Sequence, residues 1–267
     1  MDTVLITGGT GHLGRDLVGL LKASHRVRVL ARSTGSDPDV EWIKGDLATG
    51  AGIVEAVAGA TVVVHAATLS PAARRGYLLP SDLWRSPPDV DVDGTRLLLR
   101  ESATAGVGHF VYISIVGVDL PRTPYLRLKH TAEELVRVSD TPWSILRATQ
   151  FHWLLDRMLG KASRLPVLPL PAAVPTQPVD SRDFAAYVVG CIANGPGGRV
   201  DDYGGPEVLP FGEVVAQWQR VRDRRRPVVK VPIPARAGKA AADMMTCPSG
   251  RHGKTTWNEW LHTHPPE

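Results

Sequence analysis

Cysteine is nearly absent: Cys191 and Cys247 stand far apart, without the short spacings of a zinc site. That scarcity argues against a disulfide framework and a thiolate metal centre, and it suits a reducing compartment. Long apolar runs are missing too, since nothing approaches the roughly 20 residues of a membrane-spanning helix. The opening Met1-Asp2 and the short apolar run behind it are too short and wrongly charged for a secretory leader, so a cytoplasmic protein with no membrane partner is expected. No internal repeat, heptad or low-complexity segment occurs, which removes solenoids and coiled coils. Charge of one sign is scarce as well, with a formal balance of only +4. The densest basic run, Arg222-Asp223-Arg224-Arg225-Arg226, ends a helical pattern from Phe211, where cations suit a solvated helix C-terminus. No nucleic-acid partner is expected. His252, His262 and His264 lack a carboxylate or thiol at ligand spacing, so no metal is expected either.

What is present is the composition of a folded globular protein, 43% hydrophobic and 22% charged over 267 residues. A β-branched run at 3–7 leads into a glycine cluster, and apolar residues then recur at helical spacing through Leu17, Val18, Leu20 and Leu21. Further strands are expected at 26–31, 40–44, 61–65, 109–114 and 143–147. Helices are expected at 52–58, 90–105, 125–138, 150–159, 181–193 and 211–221, with a last one around 257–262. Such alternation predicts an α/β fold: a Rossmann-type, doubly wound parallel sheet with helices on both faces. Its ligands would sit beyond the C-terminal ends of the strands. The pattern becomes less regular past residue 150, so the expected organisation is a nucleotide-binding region at 1–150 and a small substrate lobe from 151–267, in one compact unit. The stretch 68–88 is the one long connection without a periodic pattern.

Gly8, Gly11 and Gly14 fall at the first strand-to-helix junction, the context that makes a glycine pattern specific for a dinucleotide. Glycines permit a tight turn and close approach of backbone to a pyrophosphate, while the helix start offers N–H groups and positive dipole. Thr10, His12 and Leu13 share that turn. After the second strand an acidic residue would meet a free ribose hydroxyl, but the chain has Arg32, which either pairs with a 2′-phosphate or is a solvated loop residue. NADP(H) is therefore expected ahead of NAD(H). Asp46 and Leu47 follow the third strand, where Asp46 either accepts from the adenine or caps a turn. Ala66 and Ala67 end the fourth strand and leave room for a cofactor.

With these residues in view, the chain resembles an atypical or extended short-chain dehydrogenase/reductase of the NmrA-like, NAD(P)H-binding group. The resemblance rests on Thr7-Gly8-Gly9-Thr10-Gly11-His12-Leu13-Gly14, His65-Ala66-Ala67, Val92-Asp93-Gly94-Thr95, Tyr112-Ile113-Ser114-Ile115-Val116-Gly117-Val118, Leu146-Arg147-Ala148-Thr149-Gln150-Phe151 and Gly204-Gly205-Pro206-Glu207. It implies a catalytic set of Ser114, Tyr125 and Lys129, with Tyr125 exchanging a proton with the substrate oxygen, Ser114 bonding that oxygen, and Lys129 binding the nicotinamide ribose. Tyr125 and Lys129 are one helical turn apart, so Lys129 is expected to lower the phenol's pKa. The alternative for Tyr125 is a packing residue in the first turn of its helix. Asp91 departs from the pattern, standing where active members often carry Asn.

On the substrate side, Gln150, Phe151 and His152 follow the sixth strand and are expected to face the crevice, where they would suit an apolar or aromatic small molecule. His152 either assists proton transfer or is structural. Trp153, Leu154, Leu155 and Met158 read as core. Arg74, Arg75, Tyr77, Trp84 and Arg85 either form a lid over an anionic or aromatic substrate or belong to a solvated loop, and Trp84 is the substrate contact expected there. The expected function is an NADPH-dependent reductase of a carbonyl, quinone or related unsaturated compound. The alternatives are a non-catalytic NADP(H)-binding redox sensor and a nucleotide-sugar epimerase or dehydratase, and the oligomeric state is left open.

Overall fold

Alternate residues of the first strand, β1 (Thr3–Thr7), serve two different cores: Val4 and Ile6 face one side of the sheet and Leu5 the other, all fully buried. The computed structural model describes residues 2–77, 80–83, 86–120 and 123–265. In its first half follow α1 (His12–Leu21), β2 (Arg26–Ala31), β3 (Val40–Lys44), α2 (Ile53–Val57), β4 (Val62–His65), α3 (Pro71–Arg75), α4 (Thr95–Thr104), β5 (His109–Ile115), α5 (Pro124–Arg137) and β6 (Trp143–Ala148). The second half holds α6 (His152–Ala162), β7 (Leu168–Leu170), β8 (Pro175–Thr176), α7 (Ser181–Asn194), β9 (Val200–Gly204), β10 (Leu209–Pro210), α8 (Phe211–Val221), β11 (Val228–Lys230), α9 (Ala235–Met245), β12 (Arg251–His252) and α10 (Trp257–Thr263).

Eight strands pair in parallel in the order β12-β9-β6-β5-β4-β1-β2-β3. The order reverses between β1 and β4, which is where a doubly wound sheet opens its ligand crevice. One face is covered by α1 and α7 through Leu13, Leu17, Leu21, Phe184 and Val188. The other is covered by α2, α4 and α5 through Ile53, Leu98, Ala132 and Val136. A third cluster, with Leu159, Leu170, Val214, Trp218, Trp257 and Trp260, holds the C-terminal lobe together. No helix among the described residues is long and apolar enough to cross a membrane.

The sheet continues past residue 150: β9 and β12 extend it and α7 lines one face, although Val200-Asp201-Asp202-Tyr203 carries few strand-forming residues. Of its two acidic side chains, Asp201 accepts from the Tyr187 hydroxyl of α7 (2.8 Å) and from its near neighbour Arg199 (3.0 Å), and Asp202 lies 3.9 Å from Arg147. The connection 68–88 is not wholly irregular, since α3 is started by Ser70, whose hydroxyl accepts from the Ala73 amide at 3.3 Å, and ended by Gly76 at φ 77°. Five residues are too few to display a helical period. The helix expected at 90–105 opens instead with a π-helical turn, Asp89–Gly94, before α4 begins. Arg222 in the basic run is not solvated: its side chain is buried against Asp156 (2.9 Å) and donates to the carbonyls of Leu261 and His264.

Candidate active site

The β1–α1 turn is shaped by glycines that no side chain can replace without displacement. Gly8 has φ +76°, and a Cβ on it would lie 2.7 Å from the Ala67 amide nitrogen; on Gly14 it would lie 2.1 Å from the Gly8 carbonyl oxygen. The turn therefore rests directly on the end of β4 and on the first turn of α1. Gly11, the residue before that helix, supplies no side-chain cap, so the leading amides face the space in front of them. That space is a cleft of about 460 Å³. Gly8, Thr10, Gly11, His12, Leu13, Gly14, Arg32, Asp46, Leu47, Ala66 and Ala67 all line it. Arg32 is exposed at the rim, with no carboxylate in ion-pair range among the described residues. Asp46 caps its own turn by accepting from the Ala48 amide at 2.9 Å. The bare glycine cradle and the uncapped helix start fit the pyrophosphate of a dinucleotide.

Beneath the cleft runs a buried polar chain. The Thr95 hydroxyl donates to the Asp91 carbonyl (2.8 Å), so the His65 Nε2 at 2.8 Å must donate to Thr95. His65 Nδ1 then accepts from the Thr7 hydroxyl at 2.6 Å. Burial, with Lys129 nearby, pushes His65 down to about 3, so it is neutral and ties β1, β4 and α4 together at the cleft floor.

Ser114, Tyr125 and Lys129 line the same cleft. Ser114 lies near the end of β5; its Oγ is buried and has no hydrogen-bond partner among the described residues. Tyr125 and Lys129 ride on α5, which begins at Pro124 behind a Thr123 cap. The Lys129 ammonium donates to the Ile113 carbonyl at 2.8 Å and lies 4.1 Å from the Tyr112 ring centre. Burial pushes it down to about 8, against the pull of Asp91 and Glu133. The expected depression of the Tyr125 phenol by Lys129 is not what acts here. Desolvation, followed by the Asp91 carboxylate, drives that phenol above its ordinary value. The Tyr125 oxygen lies 3.0 Å from Thr68 Oγ1, which donates to Asp91 Oδ1 at 2.6 Å.

On the substrate side Gln150 and Phe151 line the cleft, whereas Trp84 and Arg85 lie outside the described residues. His152 does not reach the cleft. It is fully buried, with ring centres 5.4 Å from Trp257 and 5.7 Å from Trp260, and burial holds it down to about 4. Its amide donates to the Val179 carbonyl at 2.9 Å, which fixes the first residue of α6 beside the segment leading into α7. Trp153 and Leu154, which read as core in the sequence, line the cleft instead, and Trp153 stacks on His12 with ring centres 4.0 Å apart. Leu69, Ser70 and Arg74 join them from the segment after β4. Arg75 pairs with Asp82 rather than facing a ligand. The histidines near the C-terminus have local partners: His252 faces the Cys247 carbonyl, His262 that of Asn258, and His264 stacks on Trp260. Beyond its position, Thr68 carries no recognisable signal in the sequence, and Asp91 stands out there only as a departure from the family pattern. The available signal is position, one just past His65-Ala66-Ala67 and the other ahead of Val92-Asp93-Gly94-Thr95.

A family model described as NAD(P)H-binding matches residues 8–195. The sequence is 31% identical over 229 residues to a (4-alkanoyl-5-oxo-2,5-dihydrofuran-3-yl)methyl phosphate reductase of Streptomyces griseus, covering 83% of this chain and 74% of the relative. It is 30% identical over 259 residues to the chloroplastic divinyl chlorophyllide a 8-vinyl-reductase of Oryza sativa subsp. indica, covering 86% of this chain and 61% of that longer protein. In structure it matches a short-chain dehydrogenase/reductase superfamily protein from Agrobacterium tumefaciens, solved with bound NAD, at a TM-score of 0.73. That match covers 98% of this chain and 95% of the other at 19% identity, a likeness of fold.

Proposed function

As the chain belongs to the NAD(P)H-binding family, among the extended, NmrA-like short-chain dehydrogenase/reductases, and is an oxidoreductase of that type, we propose that it uses NADPH to reduce a carbonyl, a quinone or a related unsaturated small molecule. The observation that carries this reading is the meeting of Ser114, Tyr125 and Lys129 in the cleft of the glycine turn, with the Ser114 hydroxyl buried and unpartnered among the described residues. A buried hydroxyl without a partner costs about 1–3 kcal/mol unless a ligand satisfies it. Ser114 holds the substrate oxygen, and Lys129 binds the nicotinamide ribose. The hydride for the substrate carbon would come from a nicotinamide bound in the cleft. Tyr125 gives its phenolic proton to the oxygen, so that one C–H and one O–H bond form as the C=O π bond is lost.

Arg32 at the rim supports NADPH over NADH, because a guanidinium pairs with a 2′-phosphate. For the substrate, Leu69, Phe151, Trp153 and Leu154 offer an apolar wall, and Arg74 is exposed at its edge. The Streptomyces griseus relative is named for a phosphate ester carrying an alkanoyl group. An apolar molecule with an anionic end suits this wall in the same way.

The test is a panel of carbonyl, quinone and enone compounds, with and without an anionic group, followed by loss of NADPH absorbance. Tyr125→Phe is expected to cut turnover by about 10²–10⁴-fold while leaving NADPH affinity near wild type. Wild-type turnover in that variant would remove Tyr125 from the chemistry. Tight NADPH binding with no turnover on any compound would point to a redox sensor.

A further inference from the structure

The hydrogen bonds at Tyr125 have a direction that the side chains themselves dictate. Thr68 has one hydroxyl proton, and it goes to Asp91 Oδ1 at 2.6 Å. The other Asp91 oxygen accepts from the Leu69 amide at 3.0 Å, and the Asp91 carbonyl accepts from Thr95. Asp91 itself is 1% exposed, so its carboxylate depends on these donors in place of water. With its proton committed, Thr68 Oγ1 can only accept across the 3.0 Å contact to Tyr125, so the phenol is the donor. Proton donation thus runs one way, from Tyr125 to Thr68 to Asp91.

We propose that Asp91 and Thr68 are positioning residues for Tyr125: in the ligand-free protein the carboxylate, acting through the threonine hydroxyl, holds the tyrosine protonated in the cleft, and its one O–H rotates from Thr68 to the substrate oxygen when substrate binds. This rests on the reading of Tyr125 as the proton donor to substrate. The groups facing the phenol are Asp91 from the turn before α4, Thr68 and Ser70 from the segment after β4, Tyr112 from β5, and Lys129 one turn along α5. Of the two charged groups among them, Lys129 is engaged by the Ile113 carbonyl and the Tyr112 ring, which leaves Asp91 as the charge coupled to Tyr125 by a hydrogen-bonded bridge. An asparagine in its place would keep an oxygen for the Leu69 amide but turn an N–H₂ toward Thr68. The threonine proton would then swing to the phenol oxygen, and the direction of the chain would reverse. Loss of the negative charge and reversal of the hydrogen bond both favour the phenolate.

The measurement is an ultraviolet titration of phenolate in the ligand-free protein, with Tyr125→Phe as the reference for the other tyrosines. In the wild type no phenolate signal from Tyr125 is expected up to about pH 11, one unit above an ordinary tyrosine. In Asp91→Asn the signal should appear at or below about pH 10, a tenfold or greater weakening of the hold on the proton. In reduction assays, the basic limb of the pH–rate profile should move down with it. A Tyr125 titration unchanged by Asp91→Asn would overturn the proposal. Thr68→Val tests the bridge: in that background the Asp91→Asn shift should shrink, and Thr68→Ser should restore it. An undiminished shift would remove Thr68 from the proposal. Should Asp91→Asn not fold, Thr68→Val alone is expected to change the Tyr125 titration severalfold relative to Thr68→Ser, and equal titrations would overturn it. Because the titration needs no substrate, a shift without turnover would sink the reductase reading alone, and turnover without a shift would sink the hydrogen-bond chain alone.

Discussion

Arg32 is the residue on which the proposed preference for NADPH over NADH turns. It stands just past β2, exposed on the cleft and free of ion pairs among the described residues. A charge-assisted hydrogen bond contributes about 1.5–3 kcal/mol, so Arg32→Ala should weaken NADPH by roughly 10–100-fold and NADH hardly at all. Equal weakening of the two, measured by fluorescence titration, would contradict the 2′-phosphate role. The place of Arg32 on the cleft is legible in the sequence because it depends on one local fact, its position after the second strand. His152 misleads for the opposite reason. Its place after β6 suggests the crevice, but Trp257 and Trp260, far along the chain, enclose it in the lobe. The bond from Thr68 to Asp91 likewise joins residues that local pattern does not connect.

Among the elements, α5 carries both Tyr125 and Lys129, and the way it is anchored determines where they point. Its buried face includes Leu126, Lys129, Ala132, Glu133 and Val136, the helical spacing that makes this element readable. Glu133 is fully buried and receives Arg147 of β6 through two bonds, Nε at 2.9 Å and Nη2 at 2.6 Å, and Arg137 at 2.8 Å. Arg147 also donates twice to Asp119, at 2.6 and 2.8 Å. Glu133→Ala would leave Arg147 buried and short of its innermost partner, a loss expected to cost about 3–5 kcal/mol in urea unfolding and to reduce turnover by loosening α5. A change below about 1 kcal/mol would mean that Asp119 alone suffices for Arg147. This anchor is not visible in the sequence, because Glu133 and Arg147 each look like an ordinary surface charge until α5 is laid against β6. The same holds for β9, where Asp201 argues against a strand until Tyr187 of α7 is placed beside it.

Across the whole molecule, the sheet order brings the ends of β1, β4 and β5 to one edge, and the glycine turn, Ala66-Ala67 and Ser114 meet there. That much follows from alternation of strands and helices with a glycine turn at the first junction, since parallel crossovers leave few topologies open. The lobe does not follow in the same way. β7, β8, β10 and β11 are only two or three residues long, and the cluster around Trp218, Trp257 and Trp260 draws on distant segments. Both parts converge on one cleft, whose claimed occupant is a nicotinamide dinucleotide with its pyrophosphate against the first turn of α1. Titration calorimetry of the folded protein with NADPH and NADH tests that claim directly. Saturable heat with one site per chain and tighter binding of NADPH is the predicted result, and the absence of binding by either dinucleotide would contradict it.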